Sequence, residues 1–519
     1  VKQGFRQNMA WLHTWTGLVL GWLLFAVFLT GTLAYFRSEI TLWMTPELHA
    51  ARPGQAPAQL ALDRLAELAP EADSWSVTLP SERSPVLGLS WRDPGQPQQR
   101  GAGQVMDPAT GALLTPRDTA GGNFLYRFHF ELHGLPREAA RWIVGVATMA
   151  MFVAILSGVI THKKIFKDFF TFRPRKGQRS WLDLHNMTAV LALPYHLMIT
   201  YSGLLLFTAT LLPFVVEGRT RQAAPRTDPP PALTAPAPLV PIAPLLAEAQ
   251  ARWDMPAGRI SVEGRLSARP EITLSPARND SLATQGGGGG GGARLRFDGT
   301  TGALLEETLP PRVSAITATH NVLGALHRGR FADTDLRWLF FLSGLAGTVM
   351  VGTGLLLWTA KRGMKHAKSG VTPLGFRLVE RLNVGGIAGL SLATAGYFWA
   401  NRLLPVRLDQ RAEAEIAVFF ALWAAAVLHP FLRGPARAWP EQLGLTALLL
   451  LGLPLLNPAT GGAGLPQAVA QGSWILASFD LAALVCGAAY ALAWWYAGPR
   501  KRRLPSPAPR LRAPRIAGE

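Results

Sequence analysis

Eight apolar runs constrain this chain more than any other feature. They lie at 11–36, 141–161, 187–215, 337–360, 384–404, 416–432, 443–457 and 474–497. Each approaches the roughly 20 residues that cross a bilayer's hydrocarbon core. Backbone in that medium must hydrogen-bond to itself, so each run is expected to be helical. The first is too long for a signal-peptide core and has no convincing small-residue cleavage site, so it reads as a retained span. The run at 443–457 is the shortest; Pro454 and the glycines at 461–464 are expected to end it. Of the 519 residues, 16% are charged and 49% apolar, which excludes a disordered chain and fits a membrane protein with soluble parts. The expected fold class is a membrane all-α bundle of about eight transmembrane helices carrying two outer α+β inserts.

The basic residues assign the sides. There are 51 Lys and Arg against 33 Asp and Glu, a formal charge of +18. Loop 162–181 holds Lys163, Lys164, Lys167, Arg173, Arg175, Lys176 and Arg179 against Asp168 alone. Loop 361–381 holds Lys361, Arg362, Lys365, Lys368, Arg377 and Arg381, and the tail holds Arg500, Lys501, Arg502 and Arg503. Eight spans put these, and the N-terminal Lys2 and Arg6, on one face, which reads as cytoplasmic. The charge does not line one folded face, so no nucleic acid is expected as a partner. The order is then a first span (1–36), an outer segment (37–140), spans two and three with a basic loop (141–215), a second outer segment (216–336) and span four (337–360). A cytoplasmic loop (361–383), a four-helix membrane extension (384–498) and a basic cytoplasmic tail (499–519) follow. The second outer segment opens on a Pro-rich linker and carries seven consecutive glycines at 286–292. No Lys-Ser/Thr and helix follow them, so they are a loop insertion and not a phosphate loop.

The first 360 residues read as one unit used twice. His13 precedes Thr30-Gly31 by 17 residues, and His185 precedes Ser202-Gly203 by the same interval. Both outer segments carry Asp-x-x-Thr-Gly-Ala-Leu-Leu, at 107–114 and 298–305, a phrase suited to a tight turn between strands. Each then reaches a His-rich phrase: His129 to Gly134 in the first, His320 followed by Leu326-His327-Arg328-Gly329 in the second. Trp142 precedes Ser157-Gly158 by 15 residues, as Trp338 precedes Thr353-Gly354. Pseudo-symmetric halves place a site where their equivalent residues face each other.

The histidines fall into this frame. His13 and His185 start spans one and three; His133 and His327 stand just before spans two and four. His162 ends span two, and His196 lies inside span three, 11 residues after His185 and so roughly 16 Å away on the same helix face. Imidazole is costly inside hydrocarbon and is a good haem-iron ligand. Two haems need four ligands, and the repeat offers His13 with His185 on the inside and His133 with His327 on the outside. His162 is an alternative for the inner pair and His196 for the outer; His129 and His320 are expected to belong to the outer domains. The bland reading of any one of them is an interfacial histidine bonded to headgroups, water or a carbonyl. Zinc is a weaker reading, since His129-x3-His133 lacks a third ligand. The single cysteine, Cys486, excludes a disulfide framework, an iron–sulfur site and covalent c-type haem. The cytoplasmic loops carry no GxGxxG after a strand, so no nicotinamide or flavin domain is expected.

Leu12-His13-x-Trp15-x-Gly17, Leu132-His133-Gly134, Ser157-Gly158, Asp183-Leu184-His185, Ser202-Gly203 and Leu326-His327-Arg328-Gly329 together resemble the PepSY-associated transmembrane family. The resemblance covers about 5–365, and the two Asp-x-x-Thr-Gly phrases look like the core of a PepSY module. It implies two PepSY-like periplasmic inserts and a bacterial inner-membrane, multi-pass protein with both termini cytoplasmic. It also implies two haems b and electron transfer across the membrane to a ferric siderophore or another periplasmic acceptor. Quinol or a separate reductase would be the donor. Two other functions are open to such a chain: a non-catalytic PepSY-type regulator that binds a periplasmic protein, and a transporter for iron chelates. A transporter should carry acidic residues or broken helices in mid-span, and almost none are evident.

Overall fold

The computed structural model describes residues 4–95, 103–162, 165–168, 170–174, 176–212, 238–278, 281–284 and 292–498. The Pro-rich linker before 238, most of the glycine run and the basic tail lie outside the described residues.

Among the described residues helices dominate, and five are long and apolar enough to cross a bilayer: Arg137–Thr161, Thr334–Ser369, Arg411–Arg433, Pro435–Ala459 and Trp474–Ala497. Two bent pairs raise the number to seven: Phe5–Val19 with Gly21–Ala34, bent by 67°, and Gln178–Leu191 with Leu193–Leu206, bent by 69°. The breaks fall at Leu20 and Ala192, repeat-equivalent positions, so the broken spans that the sequence was expected to lack are present. Pro194 in the first turn of Leu193–Leu206 accounts for the second, because its ring removes a donor from the ladder. Eight spans are not established. The run at 384–404 belongs to a rod of Leu374–Asn383, a π-helical turn Val384–Gly389, and Leu390–Leu403. Its last piece has 14 residues, about 21 Å, and cannot cross alone. The expected stop at Pro454 is also absent: Pro435–Ala459 runs through Pro440 and Pro454. Neighbouring helices can satisfy the carbonyls that proline frees.

The two outer segments do not form separate sheets. Their described residues share one antiparallel sheet of eight strands, in the order β4-β3-β2-β1-β5-β6-β7-β8. Its first half is β1 (Ser74–Thr78), β2 (Leu87–Arg92), β3 (Gln104–Met106) and β4 (Leu113–Leu114). Its second half is β5 (Ala257–Glu263), β6 (Glu271–Pro276), β7 (Arg294–Asp298) and β8 (Leu304–Thr308). The halves meet where Trp75 pairs with Val262 and Val77 with Ile260. Alternation buries Val77, Leu87, Leu89, Ile260, Val262, Ile272, Leu274, Leu295 and Phe297 on one face, in one core with Leu65 of helix Pro57–Leu68 and Ala249 of helix Ile242–Trp253. Each Asp-x-x-Thr-Gly phrase turns a hairpin. Asp107 Oδ1 accepts from the amides of Ala109 and Thr110, and Asp298 Oδ1 from those of Thr300 and Thr301. Gly111 and Gly302 take positive φ of 71° and 75°, where a side chain would be strained. Hydrogen bonds led by the Thr300 hydroxyl hold Asp298 down at about 2.

The C-terminal extension docks on the repeat unit at both ends. At the sheet-distal end Trp22 Nε1 donates to Asn383 Oδ1 (3.0 Å). At the sheet-proximal end Trp43 Nε1 donates to Asp480 Oδ1 (2.8 Å) and Tyr397 Oη to the Gly121 carbonyl (2.9 Å). His49 ties the same end: its Nε2 donates to the Leu42 carbonyl (2.8 Å), and its Nδ1 accepts from the Ala463 amide (3.2 Å). Burial pushes His49 down to about 4. The unfolded chain therefore binds more protons between pH 6.5 and about 4, and the stability His49 allows is lost as pH falls through that window. Thermal unfolding in detergent should show a melting temperature that drops from pH 7 to pH 4.5. His49→Gln should flatten that drop, and an unchanged pH dependence would remove His49 from this role.

Candidate functional site

Four histidines come together in two pairs, one at each end of the repeat unit. At the sheet-distal end the rings of His13 and His185 have centroids 6.2 Å apart. At the sheet-proximal end His129 and His327 stand 6.1 Å apart. His13 Nδ1 donates to the Ala154 carbonyl (2.8 Å), His185 Nδ1 to that of Met350 (2.8 Å), and His129 Nδ1 to that of Val27 (2.7 Å). His327 Nδ1 bonds the Ser202 hydroxyl (2.9 Å), with the Ile199 carbonyl also in reach.

A single local device builds all four cradles. Each carbonyl lies four residues before the glycine of a Ser/Thr-Gly pair: Ala154 before Gly158, Met350 before Gly354, Val27 before Gly31, Ile199 before Gly203. Each imidazole lies against that glycine. A Cβ would come within 3.1 Å of His13 at Gly158, 3.2 Å of His185 at Gly354, 3.2 Å of His327 at Gly203 and 2.5 Å of His129 at Gly31. The Ser/Thr hydroxyls donate back onto their own helices, as Ser157 does to Val153 (2.7 Å), Thr30 to Ala26 (2.7 Å) and Ser202 to Met198 (2.7 Å), which leaves the Ser202 oxygen able to accept from His327 Nδ1. Fixing Nδ1 as the donor leaves the Nε2 lone pair free. Two imidazoles on one metal, with metal–nitrogen bonds of about 2.0–2.1 Å, would have ring centres about 6 Å apart. Both pairs fit that spacing. Burial, with His129 beside it, pushes His327 down to about 3, and burial lowers His129, so both are neutral near pH 7.

The proximal pair opens into a cavity of about 700 Å³. Val27, Phe28, Val144, Met151 and Ile199 make its apolar floor; Arg37, Arg83, Arg141, Arg328 and Arg330 stand among its polar lining. The volume falls inside the range of about 300–1,000 Å³ typical of cofactor sites. Glu39 pairs with Arg83 (2.7 Å), and Arg37 lies over the Tyr126 ring (4.8 Å). Burial, and Arg330 close by, hold Arg37 and Arg328 below the ordinary arginine range. Crowded cations at a mouth of this kind favour an anion.

The other sequence candidates lie elsewhere. His133 does not meet His327: helix Gly121–Glu131 ends two residues before it, and Leu132 at φ 53° turns the chain away. The His133 ring stacks on Phe420 of the extension (5.3 Å), so the proximal partner of His327 is His129, which sequence reasoning assigned to the outer domain. His162 caps the distal end of Arg137–Thr161, half-buried, next to Thr161, whose carbonyl accepts from Arg6 Nε. His196 is fully buried and edge-on to Phe28 (6.1 Å), with the Ser343 and Ala189 carbonyls in reach of its ring. His320 lines the cavity without joining either pair.

No curated protein matches this chain. The description PepSY-associated TM region matches residues 10–361, the whole of the duplicated unit with both histidine pairs, and the chain belongs to that family.

Proposed function

We propose that this chain is a di-haem b oxidoreductase of the bacterial inner membrane that passes electrons to a ferric chelate, such as a ferric siderophore, on the sheet side. The observation that carries the reading is the double histidine pair, each with Nδ1 bound and ring centres about 6 Å apart. His13 and His185 would hold one haem, and His129 and His327 the other. Bound there, haem supplies one-electron chemistry. The chain's own residues do the rest. The Ala154, Met350 and Val27 carbonyls and the Ser202 hydroxyl orient the imidazoles, and the apolar floor excludes water. Arg37, Arg328 and Arg330 attract anionic groups to the proximal mouth. A ferric chelate that gains one electron there holds the resulting Fe(II) more weakly on its hard oxygen ligands and releases it. Quinol or a separate reductase would feed the distal haem.

The topology that serves this reaction has eight spans, with Leu374–Leu403 as the fifth and both termini in the cytoplasm. A reporter fused after Lys361 should then read cytoplasmic and one within 225–235 periplasmic; the reverse would invert the redox direction.

An absorption spectrum of the purified protein tests the reading. Two b-type haems per chain are expected. A chain without a Soret band, even after haem is supplied during expression, would leave the PepSY-type membrane regulator as the better reading. Gly31→Ala should disturb only the proximal haem, because its Cβ falls 2.5 Å from the His129 ring; a spectrum unchanged from the unmodified protein would count against that cradle. Dithionite-reduced protein should be reoxidised by ferric chelates faster at low salt than at high salt. Neutralising Arg328 and Arg330 should abolish that salt dependence, and a rate insensitive to both would exclude steering.

A further inference from the structure

The helix that presents His129 does not cap itself. Its N-cap is Ala120, which offers no side-chain acceptor. The first amides of the helix are taken by side chains beside it, Gly121 by Thr119 Oγ1 (3.0 Å) and Gly122 by Thr41 Oγ1 (3.0 Å), and the C-terminal extension holds Thr119 in place. Glu415 Oε2 accepts from the Thr119 hydroxyl (2.6 Å) and the Ala120 amide (3.3 Å), and Thr119 in turn accepts from the Gly121 amide (3.0 Å). A carboxylate is well placed at that end of a helix, where the amide dipoles leave partial positive charge. Glu415 is fully buried and held by Asn401 Nδ2 (2.7 Å) and by Arg411, whose guanidinium also reaches the Asp118 carbonyl (2.9 Å). Tyr397 Oη adds a bond to the Gly121 carbonyl (2.9 Å). Farther along the helix, Phe124 and Phe128 lie against Phe419, at 5.1 and 5.9 Å between ring centres. The repeat-equivalent helix Ala315–Arg328, which presents His327, is built differently: its own Ser314 caps it, accepting from the Thr317 amide (3.2 Å).

We propose that the four-helix extension is a positioning device for the proximal haem, with Glu415 and Tyr397 as positioning residues that set His129 through the helix Gly121–Glu131. The proposal rests on the haem reading above. One copy of the repeat carries its own cap. The other is capped by Thr119 and Thr41 while Glu415 and Tyr397 of the extension grip the same end, so the height and rotation of His129 against His327 depend on where the extension sits. Neither Glu415 nor Tyr397 touches the haem site; they act at the far end of an 11-residue helix.

The test uses the full-length chain, purified in detergent, with Glu415→Ala, Glu415→Gln and Tyr397→Phe compared with the unmodified protein. The readouts are haem per chain, the low-spin electron-paramagnetic-resonance signal of each haem, and the midpoint potential of each haem. His129→Ala and His13→Ala assign the signals to the two sites. In Glu415→Ala the proximal signal should fall at least two-fold in occupancy, or shift in g-value and potential, while the distal signal stays as it is. Glu415→Gln, which keeps an acceptor oxygen, should return it most of the way. Tyr397→Phe, which removes only one hydroxyl, should shift the same signal by less, and it keeps the test open if Glu415→Ala fails to fold. Proximal and distal signals that are both unchanged, or both changed equally, would overturn the proposal and leave the haem reading standing. An unmodified protein without haem would overturn both.

Discussion

On the proposed di-haem reading, His129→Ala should remove one haem and leave the other, while His133→Ala keeps both. The difference follows from two rings that are four residues apart in sequence and face opposite ways. His129 Nδ1 is fixed by the Val27 carbonyl and its ring faces His327, whereas His133 stacks on Phe420. Pyridine haemochrome analysis should therefore give about half the haem per chain in His129→Ala, in His327→Ala and, for the distal site, in His13→Ala and His185→Ala. The two distal variants should lose the signal that the two proximal variants retain. A His133→Ala protein that loses a haem while His129→Ala keeps both would reverse the assignment. Loss of both haems from any single variant would indicate a collapsed fold instead.

The second large effect concerns stability. Arg411 and Glu415 form an ion pair with both side chains at 0% exposure. Such a pair is not a source of net stability, because two desolvated charges cost about what their attraction returns. Removing one partner is different, since it strands the other charge in a place water cannot reach. Arg411→Ala should destabilise the protein by about 3–5 kcal/mol. Arg411→Met combined with Glu415→Leu should recover most of that stability, because it removes both charges and keeps the volume. Thermal unfolding in one detergent would compare the three proteins. A single variant as stable as the parent would mean that Glu415 finds solvent or another donor. The double variant would still lack the Glu415 contacts to Thr119 and Ala120, so restored stability with a disturbed proximal haem would separate folding from positioning.

Much of the architecture was legible in one dimension. The apolar runs gave the helices, because a chain in hydrocarbon has almost no other way to satisfy its backbone. The repeat was legible too, through Thr30-Gly31, Ser157-Gly158, Ser202-Gly203 and Thr353-Gly354. These landmarks are the glycines that let four imidazoles approach a helix, and they stand beside four rings in the fold. The distal pair, His13 with His185, follows from repeat positions alone because both lie in regular helix at equivalent places.

The proximal pair did not follow, for a local reason. Leu132-His133-Gly134 and Leu326-His327-Arg328-Gly329 look alike as strings, and matching them pairs His133 with His327. In the first copy, however, the helix ends at Glu131, where Arg127, Arg137 and Arg141 gather on one buried carboxylate, and Leu132 adopts a left-handed φ. In the second copy the helix runs on to Arg328 and keeps His327 on its inner face. The first helix stops two residues before His133 and the second runs one residue past His327, and those three residues of helix length exchange one histidine for another. The shared sheet and the brace on the His129 helix also depended on distant contacts: Trp75 beside Val262, and Glu415 beside Thr119. The sequence by itself determined the periodicities, the duplication and the residue types a buried metal site needs, because these depend on neighbours within a few positions. The tertiary structure alone decided which histidine turned inward and which segments shared a sheet or a brace, because those outcomes depend on where a helix stops and on residues hundreds of positions away.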